Sequence, residues 1–271
     1  MHRNAPTRAL LIMLSLTVGG WSLAALADVA AGSAAFKRKD YGAAAQAFRG
    51  PAEGGDATAQ YYMGLLLERG WGFVADPAKA ASWYAKAAAQ GNMKAQHNLA
   101  ALLHDGLGVP RDAAASLDWY RRAAAQGSAK SAQRLGTMYF QGDGVERDIG
   151  QARRYWEQAF AGGEADAGYN LGVVARRGMG VPRDPALAAA WWEKAARAGS
   201  ALASNALGEA YLRGEGVKPD PVSAWALFRL AADAGVAAAE QSAALLQAQF
   251  DEKTLEVARA RLLDFKPAAA R

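Results

Sequence analysis

Between Ala57 and Arg69 the apolar positions Met63 and Leu67 lie one helical turn apart, and the run stops at Gly70. A second run opens at Asp76 and ends before Gly91. This spacing predicts two amphipathic helices, A and B, in succession. The pair then recurs every 36 positions: Met63, Leu99, Leu135, Leu171 and Leu207 form one stripe of helix A, and Leu67, Leu103, Tyr139, Ala175 and Tyr211 the next. A fixed period of this length predicts a repeat array.

Punctuation keeps the same step. Asp40, Asp76, Asp112, Asp148, Asp184 and Asp220 form one column, with Pro77, Pro185 and Pro221 directly after three of them. Aspartate at the N-cap and proline at the first helical position mark helix starts, so the acidic column reads as capping and not as catalysis. The loop glycines Gly70/Gly72, Gly106/Gly108, Gly142/Gly144, Gly178/Gly180 and Gly214/Gly216 suit left-handed helix closures. Inside helix A, Gly64, Gly136, Gly172 and Gly208, with Ala100 and Ala244 in register, cost about 1 kcal/mol each relative to alanine and are expected where two backbones approach closely. The aromatic pairs Trp83-Tyr84, Trp119-Tyr120, Tyr155-Trp156 and Trp191-Trp192, followed by Leu227-Phe228, read as core between stacked repeats.

The two ends differ from the array. A basic start (Arg3, Arg8), an apolar stretch from Ala9 to Val18 and the small triplet Ala25-Leu26-Ala27 have the layout of a secretory signal cleaved after Ala27. No later apolar run reaches spanning length, so no transmembrane segment is expected after cleavage. Residues 28–56 read as a degenerate capping repeat, with Phe36 to Tyr41 as a short turn between two helices. Five full repeats fill 57–235, and 236–271 read as C-terminal capping helices and tail, with helix A register kept from Ala239 to Gln249 and a last helix from Asp251 to Phe265.

Composition narrows the chemistry. The chain has 271 residues, 52% of them hydrophobic, with 31 Lys+Arg against 26 Asp+Glu and no cysteine. It is therefore neither disordered nor disulfide-stapled, and no lipid can be attached through cysteine. Removing the leader takes away Arg3 and Arg8, and the small remaining positive charge gives no reason to expect nucleic acid as a partner. His97 and His104 lie seven residues apart on one predicted helix. That is about 10 Å, too far to share a metal, so each reads as a lone surface histidine. No metalloprotease, nucleophile-elbow, phosphate-loop or Ser-x-x-Lys motif occurs, and no catalytic, cofactor or metal site is assigned.

The unit Ala203-Ser204-Asn205-Ala206-Leu207-Gly208-Glu209-Ala210-Tyr211-Leu212-Arg213-Gly214-Glu215-Gly216-Val217, continued by Asp220 and Ala224, resembles a Sel1-like repeat. The resemblance covers about Ala57 to Gly235 and implies an all-α, right-handed α-solenoid of helix-turn-helix repeats related to tetratricopeptide arrays, with helix A on the inner wall. It departs at Gly72-Phe73-Val74, Ala100 and Leu227. Secreted members with cysteine-rich repeats are linked to β-lactam binding and hydrolysis, but their cysteine pairs are missing here.

Helix A columns that vary while their neighbours stay fixed are the candidate partner face. One column holds Tyr61, His97, Gln133, Tyr169 and Asn205; the next holds Tyr62, Asn98, Arg134, Asn170 and Ala206; a third, two turns on, holds Arg69, Asp105, Gln141, Arg177 and Arg213. On an inner wall these would form a polar and aromatic groove for an extended protein or peptide ligand, since aromatic and arginine side chains are common anchors. The reading is an exported, monomeric, periplasmic or secreted interaction scaffold, in envelope assembly or the regulation of signalling. A β-lactam-binding or β-lactam-hydrolysing protein and a glycan-binding module are the alternatives.

Overall fold

The computed structural model describes residues 17–18 and 21–266, with side chains from Leu26 onward. Residues 1–16 and 19–20 of the expected leader, and the tail from 267, lie outside the described residues. A two-residue antiparallel ladder, β1 (Thr17–Val18) with β2 (Trp21–Ser22), precedes fourteen described helices. These are α1 (Leu23–Lys37), α2 (Tyr41–Glu53), α3 (Ala57–Arg69), α4 (Pro77–Ala89), α5 (Met93–Asp105), α6 (Ala113–Ala125) and α7 (Ala129–Gln141), followed by α8 (Ile149–Ala161), α9 (Ala165–Arg177), α10 (Pro185–Arg197), α11 (Ala201–Arg213), α12 (Pro221–Asp233), α13 (Ala237–Gln247) and α14 (Glu252–Phe265). The fold is all-α. The chain forms two compact units, Met1–Ala95 with Leu107–Val109, and Gln96–Gly106 with Pro110–Arg271.

Local chemistry sets the helix boundaries. The side chain of Asp184 accepts a hydrogen bond from Leu187 N while its own N–H donates to the Ala175 carbonyl at 2.9 Å, so one residue starts α10 and ties it back to α9. Asp148 and Asp220 repeat both bonds at α8 and α12. Asp184→Ala should therefore cost about 1 kcal/mol, the usual loss of an N-cap, measured by urea titration. Helix A closes on a left-handed glycine, Gly178 at φ 68° being one instance. The second loop glycine has a different job: at Gly216 (φ 78°) a Cβ would collide with the Pro185 carbonyl, so the bare backbone is what lets this loop rest on the start of α10 in the preceding repeat.

In the first unit Phe48, Met63 and Leu66 form the core, with Tyr41 stacked on Trp71 at 4.6 Å. In the second, Leu135, Trp156 and Leu171 anchor one cluster, and Trp192, Leu207, Phe228 and Phe265 another. The second ring of each aromatic pair is the buried one. It covers the helix A glycine: a Cβ on Gly208 would sit 2.8 Å from Phe228 Cε1, one on Gly64 2.7 Å from Tyr84, and those on Gly136 and Gly172 would overlap the indoles of Trp156 and Trp192. This corrects the expectation of backbone against backbone; the glycine is a seat for a ring. The first aromatic of each pair is only half-buried, and in three repeats a cation three residues on covers it, with Lys86 over Trp83 at 4.3 Å, Arg122 over Trp119 at 4.6 Å and Lys194 over Trp191 at 4.9 Å.

At the C-terminal end α13 stops at Gln247, two residues before the expected limit, and Asp251 caps α14 through Thr254 N. Near the other end Asp40 caps α2 after a short turn in which Lys39 adopts φ 62°.

Candidate functional site

The variable columns are less free than their chemistry suggested. In the first unit Tyr62 is committed to packing: its ring stacks on Phe48 at 4.6 Å and lies 4.9 Å from Phe36. Tyr61 is half-buried edge-on to Tyr62 at 5.2 Å, with Lys94 Nζ 5.9 Å from its ring, and burial raises its phenol pKa. Arg69 is exposed, 3.6 Å from Glu68.

In the second unit His97 is not a lone surface histidine. Its Nδ1 lies 2.9 Å from Ser131 Oγ, its ring 5.4 Å from Tyr120, and burial, helped by the charges of Arg134 and Lys130, lowers its pKa to about 4. Ser131 stands on the first turn of helix A in the next repeat, so His97 is half-buried by a neighbouring repeat of the same unit. Gln133 places a buried Oε1 without a hydrogen-bond partner, and the carbonyl of half-buried Tyr169 accepts Trp192 Nε1 at 3.2 Å. Asn205 donates to Glu209 at 3.3 Å, and Arg213 stands 3.9 Å from the same carboxylate. Asn98 and Asn170 are half-buried, and Arg134 and Arg177 exposed. His104, the other histidine, bridges Asp105 at 2.6 Å and Asp143 at 2.9 Å.

The structure thus brings His97 and Arg134 together, and Asn205 with Arg213, while Tyr62 belongs to the core. Two charged neighbours went unread, Lys130 beside His97 and Glu209 between Asn205 and Arg213. Their four-residue spacing from Arg134 and from both partners was the available signal. Among the described residues no carboxylate pairs with Lys130, Arg134 or Arg177. One further feature lies outside the columns, a cavity of about 270 Å³ above Ala175. Its trace in the sequence was the drop in size from Leu67, Leu103 and Tyr139 to Ala175.

The Sel1 repeat model matches residues 57–92, 94–128, 129–164, 165–200 and 201–236. The chain belongs to the Sel1 repeat family. Sel1 repeats are a protein-interaction fold, and the matched ranges begin with helix A each time. Among solved structures, the chain is similar to a protective antigen of uropathogenic Escherichia coli that displays this fold, at 31% identity and a TM-score of 0.81 over 89% of this chain and 53% of that one. The chain thus spans about half the length of the E. coli protein. A Sel1 repeat protein from Oxalobacter formigenes is similar at 28% identity and a TM-score of 0.77, over 85% of this chain and 96% of that one. No curated protein matches.

Proposed function

We propose that this Sel1 repeat chain is an exported scaffold that binds an extended, acidic protein segment along helix A of its second unit, in the periplasm or outside the cell. The observation that carries the reading is the set Lys130, Arg134 and Arg177, exposed cations without a carboxylate partner among the described residues, the first two on α7 and the third on α9, the helix that also carries the half-buried Tyr169 and Asn170. Such a face attracts acidic segments and supplies aromatic and arginine anchors. A role in envelope assembly or in regulating a signalling system fits a binding scaffold without an enzymatic motif.

The test replaces Arg134, Tyr169 and Arg177 together with alanine and places a photo-crosslinker at Asn170. Adducts formed in an envelope extract should disappear in the triple variant and weaken with salt, while melting changes little. The control removes two other exposed cations, Arg154 and Lys218, so that net charge falls equally. Equal loss of adducts in the control would overturn the assignment of the face. Arg122 and Lys194 are unsuitable controls because each shields a tryptophan.

Export makes its own prediction: N-terminal sequencing of the mature chain should read from Asp28, and an intact Met1 in membrane fractions would overturn it. Among the described residues no helix is long and apolar enough to cross a membrane. The cut falls inside α1 and would leave Asp28 in its new first turn, where a carboxylate is favourable.

A further inference from the structure

Position 175 is the one place in its column where the array leaves out a large side chain. In the preceding repeat the column holds Tyr139, whose ring stacks on Tyr155 at 5.5 Å and whose hydroxyl is bonded by Arg121. In the following repeat it holds Tyr211, whose hydroxyl lies in the field of the Glu193 and Asp220 carboxylates. In the repeat between them Ala175 is buried at the floor of the cavity of about 270 Å³, together with Leu171, while Trp191 stands where Tyr155 did and Leu187 lies exposed at the edge. A space of that size is small for a free ligand and suits one aromatic side chain. Glu157 takes the place of Arg121 in the sequence register and lies 3.7 Å from Arg153, which lines the cavity. An acceptor thus stands where the neighbouring repeat offers a donor.

We infer that the cavity over Ala175 is a docking site for a tyrosine side chain of a partner protein. The ring would lie against Trp191 as Tyr139 lies against Tyr155, and its hydroxyl would donate to Glu157, which holds the register position from which Arg121 bonds the Tyr139 hydroxyl. The flanking repeats supply the template for this occupant: each fills the same position with a tyrosine of its own. The charged groups on the walls, Arg153, Arg183 and Asp184, are balanced, the two arginines being paired with Glu157 and Glu215, which suits a neutral aromatic group. The site uses none of the variable helix A columns that form the proposed peptide-binding face, so it stands or falls separately from that face.

The experiment uses the full chain and N-acetyltyrosinamide, a neutral probe that the cations of helix A do not attract. Indole N–H signals are followed by NMR, with Trp191→Phe assigning the resonance. Millimolar probe should shift Trp191 and leave the other tryptophans unmoved, whereas N-acetylalaninamide should have no effect. Ala175→Tyr places the missing ring in cis and should abolish the shift with melting unchanged or raised; Ala175→Leu, copying Leu67 and Leu103, serves the same end if the tyrosine variant does not fold. The proposal is overturned by any of four results: no shift in the wild-type chain, equal shifts with the alanine probe, an undiminished shift in the filled variant, or a Trp191 shift that grows with protein concentration without probe. The last would assign the cavity to a second copy of the chain.

Discussion

Gly172→Leu should destabilise the chain by at least about 3 kcal/mol, at the upper end of what overpacking costs, and lower its melting temperature by roughly 6–12 °C. The reason is local. Even a Cβ at position 172 would overlap the Trp192 indole, and that ring is 1% exposed, pinned by its bond to the Tyr169 carbonyl and unable to swing into solvent. Asn170→Ala, two residues earlier on the same helix, should stay within about 0.5 kcal/mol, as surface changes usually do. Equal melting of the two variants would mean that the ring-on-glycine seat does not carry the packing. A sharper check comes from the second full repeat, where Ala100 replaces the glycine and Tyr120 is the ring. Gly172→Ala should be harmful alone and largely rescued by Trp192→Tyr, with a coupling energy of about 0.5–3 kcal/mol in a double-mutant cycle.

That pair also marks how far the sequence could be read. The positions in the 36-residue columns with a one-residue reason were legible: aspartate at the N-cap of helix B, proline just after it and glycine just past a helix each answer to backbone chemistry that does not depend on distant contacts. The glycines within helix A were visible as a column, but what faced them was not, because a missing side chain admits a backbone or a ring equally well. The partner is Tyr84, Trp156, Trp192 or Phe228, each 20 residues further on, and only the packing angle of A on B selects it. His97 misled for a related reason. Its own helix offers it a polar flank, and the group that half-buries it, Ser131, comes from the next repeat.

Variation within a column therefore has two causes in this array. Arg134 and Arg177 vary because they reach solvent, where packing does not constrain the side chain. His97, Gln133 and Tyr169 are half-buried, and His97 is fitted to Ser131 on the first turn of the next helix A, so replacing them disturbs packing. Position 175 adds a third case, in which a residue smaller than its counterparts opens a space that the neighbouring repeats keep filled.

Acid should separate these roles through His97. Its folded-state pKa is lowered from 6.5 to about 4, first by burial and then by Arg134 and Lys130, so the unfolded chain takes up a proton that the folded chain refuses. Stability from this group is whole above pH 6.5, falls as the pH drops through the interval from 6.5 to about 4, and loses nothing more below it. The full interval corresponds to roughly 3 kcal/mol, with a slope of at most about 1.4 kcal/mol per pH unit. Asp143 and Asp220 act in a different window. Partial burial pushes both carboxyls up, but Arg111 and His104 at Asp143, and Ser223 with Arg261 at Asp220, outweigh it and hold both below 3.8, so their contribution is present above that value and disappears only at lower pH. His97→Gln copies the residue that Gln133 supplies in the next repeat and has no proton to gain. Urea midpoints measured from pH 7.5 to 4.5 should fall steadily for the wild-type chain and remain nearly flat for His97→Gln. Parallel curves would show that the proton is taken up elsewhere and that His97 is solvated in the folded chain.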